Sequence, residues 1–443
     1  MPLVVVGVDH TSCPLSIREP MALDGPGESL LLTSLMAHPY VDEAVVVSTC
    51  ARTEVYLWTN EDVEPARAAA HDALLDLNEE CGPFITSKTD ADAVRHLFRI
   101  AAGLESQVVG EHEIAGQVRS AYKTSRGREA MGVHLDALFR AASACSRRLR
   151  RETSLGATET SVAAAAAAHY RLRHGQRRSH VLVIGSGRVA RMLVSEFRAE
   201  HDVVITARSL ESLEAVADRL DVPWLRLPEA LARLAAFDVI CCATRSRQPL
   251  VTAADVRTAA PLVIFDVSIP RNVDATVAGF PGITLYDVDD VGSDTSDTKA
   301  LDSTLIDSIL DAEVHDCVSR ETYREIAPII SALRAHVDRV REQELDRIRG
   351  RLDSLDEGAR SIIESLTARL IDRMFHHLVT RLKLASLSDP DLIRAAEFFF
   401  AHGEDSLFPA PESPDRREAR QEQTDLAPRV DPKAAVGAST RDA

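Results

Sequence analysis

A chain of 443 residues, 45% of them hydrophobic and 27% charged, exceeds what one ordinary core can organise, so about three domains are expected. A formal charge of −17 excludes a general nucleic-acid binder, because phosphate binding needs an excess of Lys and Arg, but it leaves room for a local basic patch. The seven cysteines form an odd set without framework spacing, which excludes a disulfide scaffold and indicates free thiols in a reducing cytosol.

From Leu3 to about Glu152 the pattern is mixed α/β. A strand over Leu3–Val8 and a polar turn over Asp9–Ser12 come first, followed by a helix near Gly27–Met36. The next strand, Val45-Val46-Val47-Ser48-Thr49-Cys50, stops on a single cysteine and runs at once into Ala51-Arg52-Thr53-Glu54. A strand end holds a side chain rigidly at a solvent-facing edge, and the positive charge of Arg52 would stabilise a thiolate. Cys50 is thus a candidate nucleophile. Taken alone, the segment supports equally well a small apolar side chain in a core. Helical patterns cover Asp90–Gly103 and Glu111–Thr124, and Val133–Tyr170 reads as two helices broken around Gly156. The uncharged alanine run Thr160–Tyr170 falls short of the roughly 20 residues that span a bilayer, and no charged-then-apolar leader precedes the first strand. A soluble protein without membrane association is expected.

A second unit begins at Arg178. Strand His180–Ile184 feeds the turn Gly185-Ser186-Gly187-Arg188-Val189-Ala190, and a helix and the strand Val203–Thr206 follow. Further strands at Asp238–Thr244, Leu262–Asp266 and Ile283–Tyr286 alternate with helices, which implies a parallel, doubly wound sheet. A glycine turn between strand and helix aims backbone N–H groups and a helix dipole at a pyrophosphate. Where an NAD enzyme places an acid at the end of the second strand, this chain has Ala207-Arg208-Ser209, and Arg208 suits a 2′-phosphate. NADP is the expected cofactor. Cys241 and Cys242 lie in a central strand and are expected in the core.

After about Asp294 strands cease. Leu333, Val337, Val340, Leu345, Ile348, Leu352 and Leu355 recur at helical spacing among charges, and Ile362, Leu366, Leu370, Met374 and Leu378 repeat the pattern. A charged helical hairpin has little else to bury such a stripe against, so self-association is expected. From about Glu404 the composition turns to Pro, Arg, Glu and Asp without period, as in disordered tails.

A nicotinamide domain joined to a cysteine nucleophile suggests acyl reduction. The thiolate takes an acyl group as a thioester, and hydride reduces the thioester to an aldehyde. Several motifs narrow this. In Ser48-Thr49-Cys50-Ala51-Arg52-Thr53-Glu54, in His96-Leu97-Phe98-Arg99 leading to Ser106 and Gly110-Glu111, in Phe265–Arg271, in Leu285–Asp290 and in the helical C-terminal part, the chain resembles the glutamyl-tRNA reductase family. The resemblance extends over roughly nine-tenths of the length.

It implies a multidomain α/β protein: an N-terminal α/β catalytic domain over 1–152, a linker helix and NADP-binding Rossmann domain over 153–292, an all-helical dimerisation domain over 293–404, and a tail over 405–443. It also implies NADPH-dependent reduction of glutamyl-tRNA(Glu) to glutamate-1-semialdehyde through a Cys50 thioester, the first step of tetrapyrrole synthesis by the C5 route. The enzyme would be a cytoplasmic homodimer in transient contact with the semialdehyde aminomutase. By matching position, Cys50 is the nucleophile and His96 an active-site residue near it. Thr49, Ala51, Arg52, Ser106, Glu111, His112, Glu113 and Gln117 line the glutamyl pocket, with Arg52 a partner for a substrate carboxylate. Gly185, Ser186, Gly187, Arg188, Val189, Ala190 and Arg208 hold the cofactor.

Two positions depart from the family pattern: its asparagine after the cysteine is Ala51, and its Glu-Pro-Gln is Glu111-His112-Glu113. They leave two alternatives, a non-catalytic paralogue that binds tRNA and NADPH, and a reductase of another glutamyl thioester donor. His112-Glu113 resembles the start of a zinc-protease motif, but Gly116 stands where the second histidine would, and no metal is expected. For tRNA, Arg119, Lys123, Arg126, Arg128, Arg140, Arg147, Arg148, Arg150 and Arg151, followed by Arg171, Arg173, Arg177 and Arg178, offer a basic surface that composition alone reads equally as a solvated helix face.

Overall fold

The computed structural model describes residues 2–386 apart from 61, 112, 157–160, 176, 257–260 and 294–301. His112 and the 405–443 tail therefore lie outside the described residues. The valine-rich strand β1 (Leu3–Asp9) leads into a short helix α1 (Leu15–Arg18) and then α2 (Gly25–Met36). Asp24 caps α2 by accepting from Gly27 N at 3.0 Å. Strand β2 (Glu43–Ser48) turns back through Thr49-Cys50-Ala51 into β3 (Arg52–Trp58). Next come α3 (Val63–Leu77), β4 (Thr86–Thr89), α4 (Asp90–Ala102), α5 (Glu113–Gly127) and α6 (Val133–Glu152). Gly103, at φ 81°, ends α4 in the left-handed conformation that glycine adopts without steric cost.

The four strands form an antiparallel sheet in the order β2-β3-β1-β4. No strand is expected from the sequence at Arg52-Thr53-Glu54, yet β3 runs through them. Their charges meet one another on a single face. Alternation along β3 sends Val55 and Leu57 into the core with Val4, Val6 and Val46, while Arg52, Glu54 and Tyr56 share the opposite face. On that face Tyr56 meets Phe139 of α6 edge-on at 5.6 Å.

Helix α7 (Val162–His174), capped by Ser161, precedes the second sheet. There β5 (His180–Ile184), α8 (Arg188–Phe197), β6 (Asp202–Thr206), α9 (Leu210–Leu220), α10 (Leu227–Leu231), β7 (Val239–Cys242), α11 (Ala253–Val256), β8 (Leu262–Asp266), β9 (Ile283–Asp287) and α12 (Val288–Ser293) follow in order. All the pairings are parallel, in the order β6-β5-β7-β8-β9, so the winding reverses at β5 and opens a crevice at the carboxyl ends of β5 and β7. Apolar side chains cover both faces of this sheet, and Cys241 and Cys242 are fully buried within it.

Helices α13 (Ser303–Arg347), α14 (Arg349–Leu352) and α15 (Glu357–Ser386) complete the described chain, which forms a separate compact unit from His315 onward. Within that unit Arg334 Nη2 reaches Asp372 Oδ1 at 2.6 Å, and Arg341 Nη2 donates to the Glu364 carbonyl at 3.0 Å, so α13 and α15 run side by side. Only part of the apolar stripe is covered by this packing. Leu333, Leu352 and Phe375 are buried, while Ile362, Leu366, Leu370 and Met374, spaced four apart on α15, are at least half exposed. Leu378 has no described side chain. Among the described residues, no helix is long and apolar enough to cross a membrane.

Candidate functional site

Cys50 sits at the tip of the β2–β3 hairpin, partly exposed. Thr49 builds the turn: its Oγ1 accepts from Ala51 N at 3.1 Å and Arg52 N at 3.2 Å, and its own N–H donates to Arg52 O at 2.8 Å. The cysteine side chain takes no part in these bonds, so the turn presents the sulfur without depending on it. Burial, then the carboxylates of Glu111 and Glu113, push the thiol up to about 12, with Arg18 pulling the other way. Resting Cys50 is a protonated thiol.

This corrects the expected role of Arg52. Its guanidinium is fully buried, donating from Nη1 to Glu54 Oε1 at 2.8 Å and from Nη2 to the Glu105 carbonyl, and the thiol's supporting cation is Arg18. Only its Nε lacks a partner. Arg18 is likewise buried, donating to Cys13 O at 2.7 Å and gripping both oxygens of Asp289 at 2.9 and 3.1 Å, again with Nε unpaired.

His96 is brought into the same network rather than onto the sulfur. Nε2 lies 3.0 Å from Glu54 Oε1 and Nδ1 2.8 Å from Glu105 Oε2, so both ring nitrogens face carboxylates. Burial alone would lower its pKa, but Glu54 and Glu105 outweigh it and raise the imidazole to about 9. Burial would raise Glu54, yet Arg52 and His96 hold it down to about 2. Two cations and two anions therefore balance beneath the hairpin, with the Tyr56 hydroxyl donating to Glu54 Oε2 at 2.9 Å.

Ser106 is buried with its hydroxyl against Glu111, which is buried beside it. Burial first, and the charge of Glu113 second, bring Glu111 up to about 7. Gln117 lies one turn after Glu113 on α5 and is half-buried; Ala51 is buried in the hairpin turn. The buried Nε atoms of Arg18 and Arg52, both without a partner, are what a polar acyl substrate would satisfy.

The dinucleotide turn has the required close approach. Gly185, at φ 139°, would place a Cβ 2.3 Å from Ala243 O, so only glycine fits where β5 meets the end of β7. Gly187 starts α8, and small Ala190 packs under the turn. Ser186 Oγ lies 3.1 Å from Ser212 Oγ. Arg188 pairs with Glu113 at 3.2 Å, which links the second domain's helix to the departure from the family pattern and offsets its negative charge. Val189 packs against the core on the same turn. Arg208 is exposed, and Nη2 donates to Ser246 Oγ at 2.7 Å, so a loop after β7 holds it at the crevice. These residues fit a dinucleotide with a 2′-phosphate. Replacing Arg208 by Asp should weaken NADPH by roughly ten- to a hundredfold, the range of one or two charge-assisted bonds, and leave NADH nearly unchanged. Equal losses for both, measured by titration, would remove the assignment.

The basic surface is more neutralised than its sequence suggests. Arg140 pairs with Asp136, Arg148 with Glu152 and Glu313, Arg171 with Glu200 and Arg178 with Asp202. Arg150 turns inward onto the carbonyls of Ala102, Gly110 and Glu111. Arg119, Lys123, Arg128 and Arg147 remain exposed. Among the described residues no cluster of potential metal ligands occurs.

Glu54, Glu105, Arg18 and Asp289 were not singled out from sequence for this site. Glu54, Glu105 and Asp289 lie inside the motifs that carry the family resemblance; Arg18 has no separate signal.

Comparison with known proteins follows this geometry. Residues 6–153 match the model of the "Glutamyl-tRNAGlu reductase, N-terminal domain", residues 167–293 that of "Shikimate / quinate 5-dehydrogenase", and residues 306–402 that of the "Glutamyl-tRNAGlu reductase, dimerisation domain". A glutamyl-tRNA reductase of Picosynechococcus sp. is 30% identical over 402 residues, covering 86% of this chain and 94% of its own. One from Xanthomonas campestris is 32% identical over 415 residues, covering 90% and 94%. A solved glutamyl-tRNA reductase from Methanopyrus kandleri aligns over 90% of this chain and 99% of its own, at 23% identity and a TM-score of 0.44.

Proposed function

The chain belongs to the glutamyl-tRNA reductase family, and we propose that Cys50 carries its chemistry, with Arg18, Glu111 and the buried Arg52–Glu54–His96–Glu105 network in support. It is an NADP-dependent oxidoreductase that reduces glutamyl-tRNA to glutamate-1-semialdehyde, the first step of tetrapyrrole synthesis by the C5 route, and a homodimer. The observation that carries the site assignment is the turn itself, which holds one half-buried thiol beside a titrating buried carboxyl and a buried cation.

A thiol at about 12 does not supply a standing thiolate near neutral pH, so proton removal accompanies attack. Glu111, brought to about 7, is the base suited to that step, and Arg18 offsets the negative charge gathering on sulfur. The sulfur bonds to the ester carbonyl carbon, and the ribose oxygen of tRNA leaves with a proton. The unpaired Arg52 Nε and the Ser106 hydroxyl beside Glu111 hold the glutamyl group, with Thr49, Ala51, Glu113 and Gln117 around it. Gly185 to Ala190 and Arg208 would hold NADPH, which would supply the hydride for reduction of the thioester carbonyl. Breaking the C–S bond then frees the aldehyde, and sulfur regains its proton. His96 acts through Glu54 and Glu105, keeping Arg52 in place. The exposed α15 ladder Ile362, Leu366, Leu370 and Met374 supplies the dimer face. Arg119, Lys123, Arg128 and Arg147 are the cations open to tRNA phosphates. The free cysteines suit a cytoplasmic setting, and the reactive product favours transient handover to the aminomutase.

Incubated with glutamyl-tRNA and NADPH, the protein should yield semialdehyde with NADPH oxidised one for one. Release of free glutamate with no NADPH consumed would sink the reading.

A further inference from the structure

The segment Arg18–Asp24 joins the nucleophile's turn to the loops at the mouth of the dinucleotide crevice. On one side it is fastened to the hairpin: Thr53 Oγ1 donates to Met21 O at 3.0 Å, and Leu23 N donates to Ser48 Oγ at 2.9 Å, on the two strands that flank Cys50. On the other side it reaches the second domain at separate places. Arg18 grips Asp289 of α12, which Gln107 also contacts. Glu19 takes both the backbone N–H and the guanidinium of Arg271 in the loop after β8, with Nε at 2.7 Å from Oε2. Asp24 pairs with Arg247 in the loop after β7.

Those loops are themselves braced. Asp266 accepts from Ser268 N at 3.1 Å, Asn272 N at 2.6 Å and Val273 N at 2.8 Å, while Asn272 Oδ1 accepts from Ser268 Oγ and from Thr244 N in the loop after β7. Loops leaving the carboxyl ends of these strands border the nucleotide in a doubly wound sheet. One short segment thus joins the hairpin that carries Cys50 to the loops that border the nucleotide site.

We propose that Arg18–Asp24 is a positioning strap that sets the register between the Cys50 sulfur and the nicotinamide end of the cofactor site, with Glu19–Arg271 as its main pin. The inference rests on the thioester reading above. Attack of sulfur on the ester is complete within the first domain and needs no such register. Hydride transfer does need it.

The test is Glu19→Gln in the full-length protein, which keeps side-chain volume and removes the carboxylate charge that faces Arg271; Arg18 is left intact because its charge acts on the thiol. NADPH-dependent semialdehyde formation should fall about ten- to a hundredfold, while thioester formation without NADPH and the NADPH dissociation constant stay within about twofold, as expected when only alignment is lost. With NADPH present, the variant should also release free glutamate as water outcompetes misplaced hydride. Asp24→Asn, at a more exposed pair, should show the same split with a smaller amplitude. Equal losses in both steps, or an unchanged reduction rate, would overturn the strap. A wild-type protein that forms no thioester would overturn the chemistry beneath it instead.

Discussion

Cys50→Ser should abolish both thioester formation and aldehyde production, a loss on the order of 10³-fold or more, because the serine hydroxyl is a far weaker nucleophile near neutral pH. The fold gives no reason for collateral damage. Thr49 and the backbone of Ala51 and Arg52 make the turn, the side chain at position 50 contributes no hydrogen bond to it, and oxygen is close to sulfur in size. NADPH affinity and dimerisation should be those of the wild type. Incubation with glutamyl-tRNA alone, followed by intact-mass measurement, should show a glutamyl adduct on the wild type and none on the variant. A serine variant reducing glutamyl-tRNA at the wild-type rate would end the thioester mechanism.

Glu54→Gln should be the most damaging change to stability among the site residues. Glu54 faces Arg52 at 2.8 Å and His96 at 3.0 Å, and the amide leaves those buried cations with one carboxylate, Glu105, between them. Breaking a buried pair by removing one partner costs about 3–5 kcal/mol. The pH dependence has a definite sign. Glu54, depressed to about 2 from 4.5, contributes stability that is fully present above 4.5 and lost as pH falls toward 2. His96, raised to about 9 from 6.5, contributes stability that is fully present below 6.5 and lost as pH rises through 9. The network therefore favours the fold most between those windows, and urea denaturation should find the wild type weaker at pH 9 than at pH 6, by at most about 3 kcal/mol from His96. In Glu54→Gln that alkaline loss should shrink, since half of the carboxylate pair that raises His96 is gone. An identical pH profile in both proteins would refute the assignment.

Elements with a strong local signal were legible in the sequence. The valine runs of β1 and β2, the strand–glycine–helix unit at Gly185 and the four-residue spacing on α15 each depend on residues close along the chain. Strand β3 was not legible, because Arg52 and Glu54 can be buried only by reference to His96 and Glu105, which lie more than a turn of chain away on other elements. The same holds for Arg18, whose partner Asp289 is 271 residues distant. Cys50 was legible as a candidate, but its acidity was assigned to the nearest cation in sequence. In space that cation is committed to Glu54, and burial, followed by the carboxylates of Glu111 and Glu113, sets the state of the sulfur instead. Sequence proximity identifies which residues could interact; only the fold decides which charges are already taken.

The protonated state of resting Cys50 also bears on survival of the enzyme between turnovers. Peroxide and electrophiles consume thiolates, and a sulfur oxidised to the sulfinic level is not readily recovered. A sulfur whose proton is held at about 12 offers almost no target to them at neutral pH. On the thioester reading its nucleophile comes into being only when an acyl group is seated to receive it, so the burial and the carboxylates that disfavour the thiol's ionisation also keep it from being wasted on oxidants.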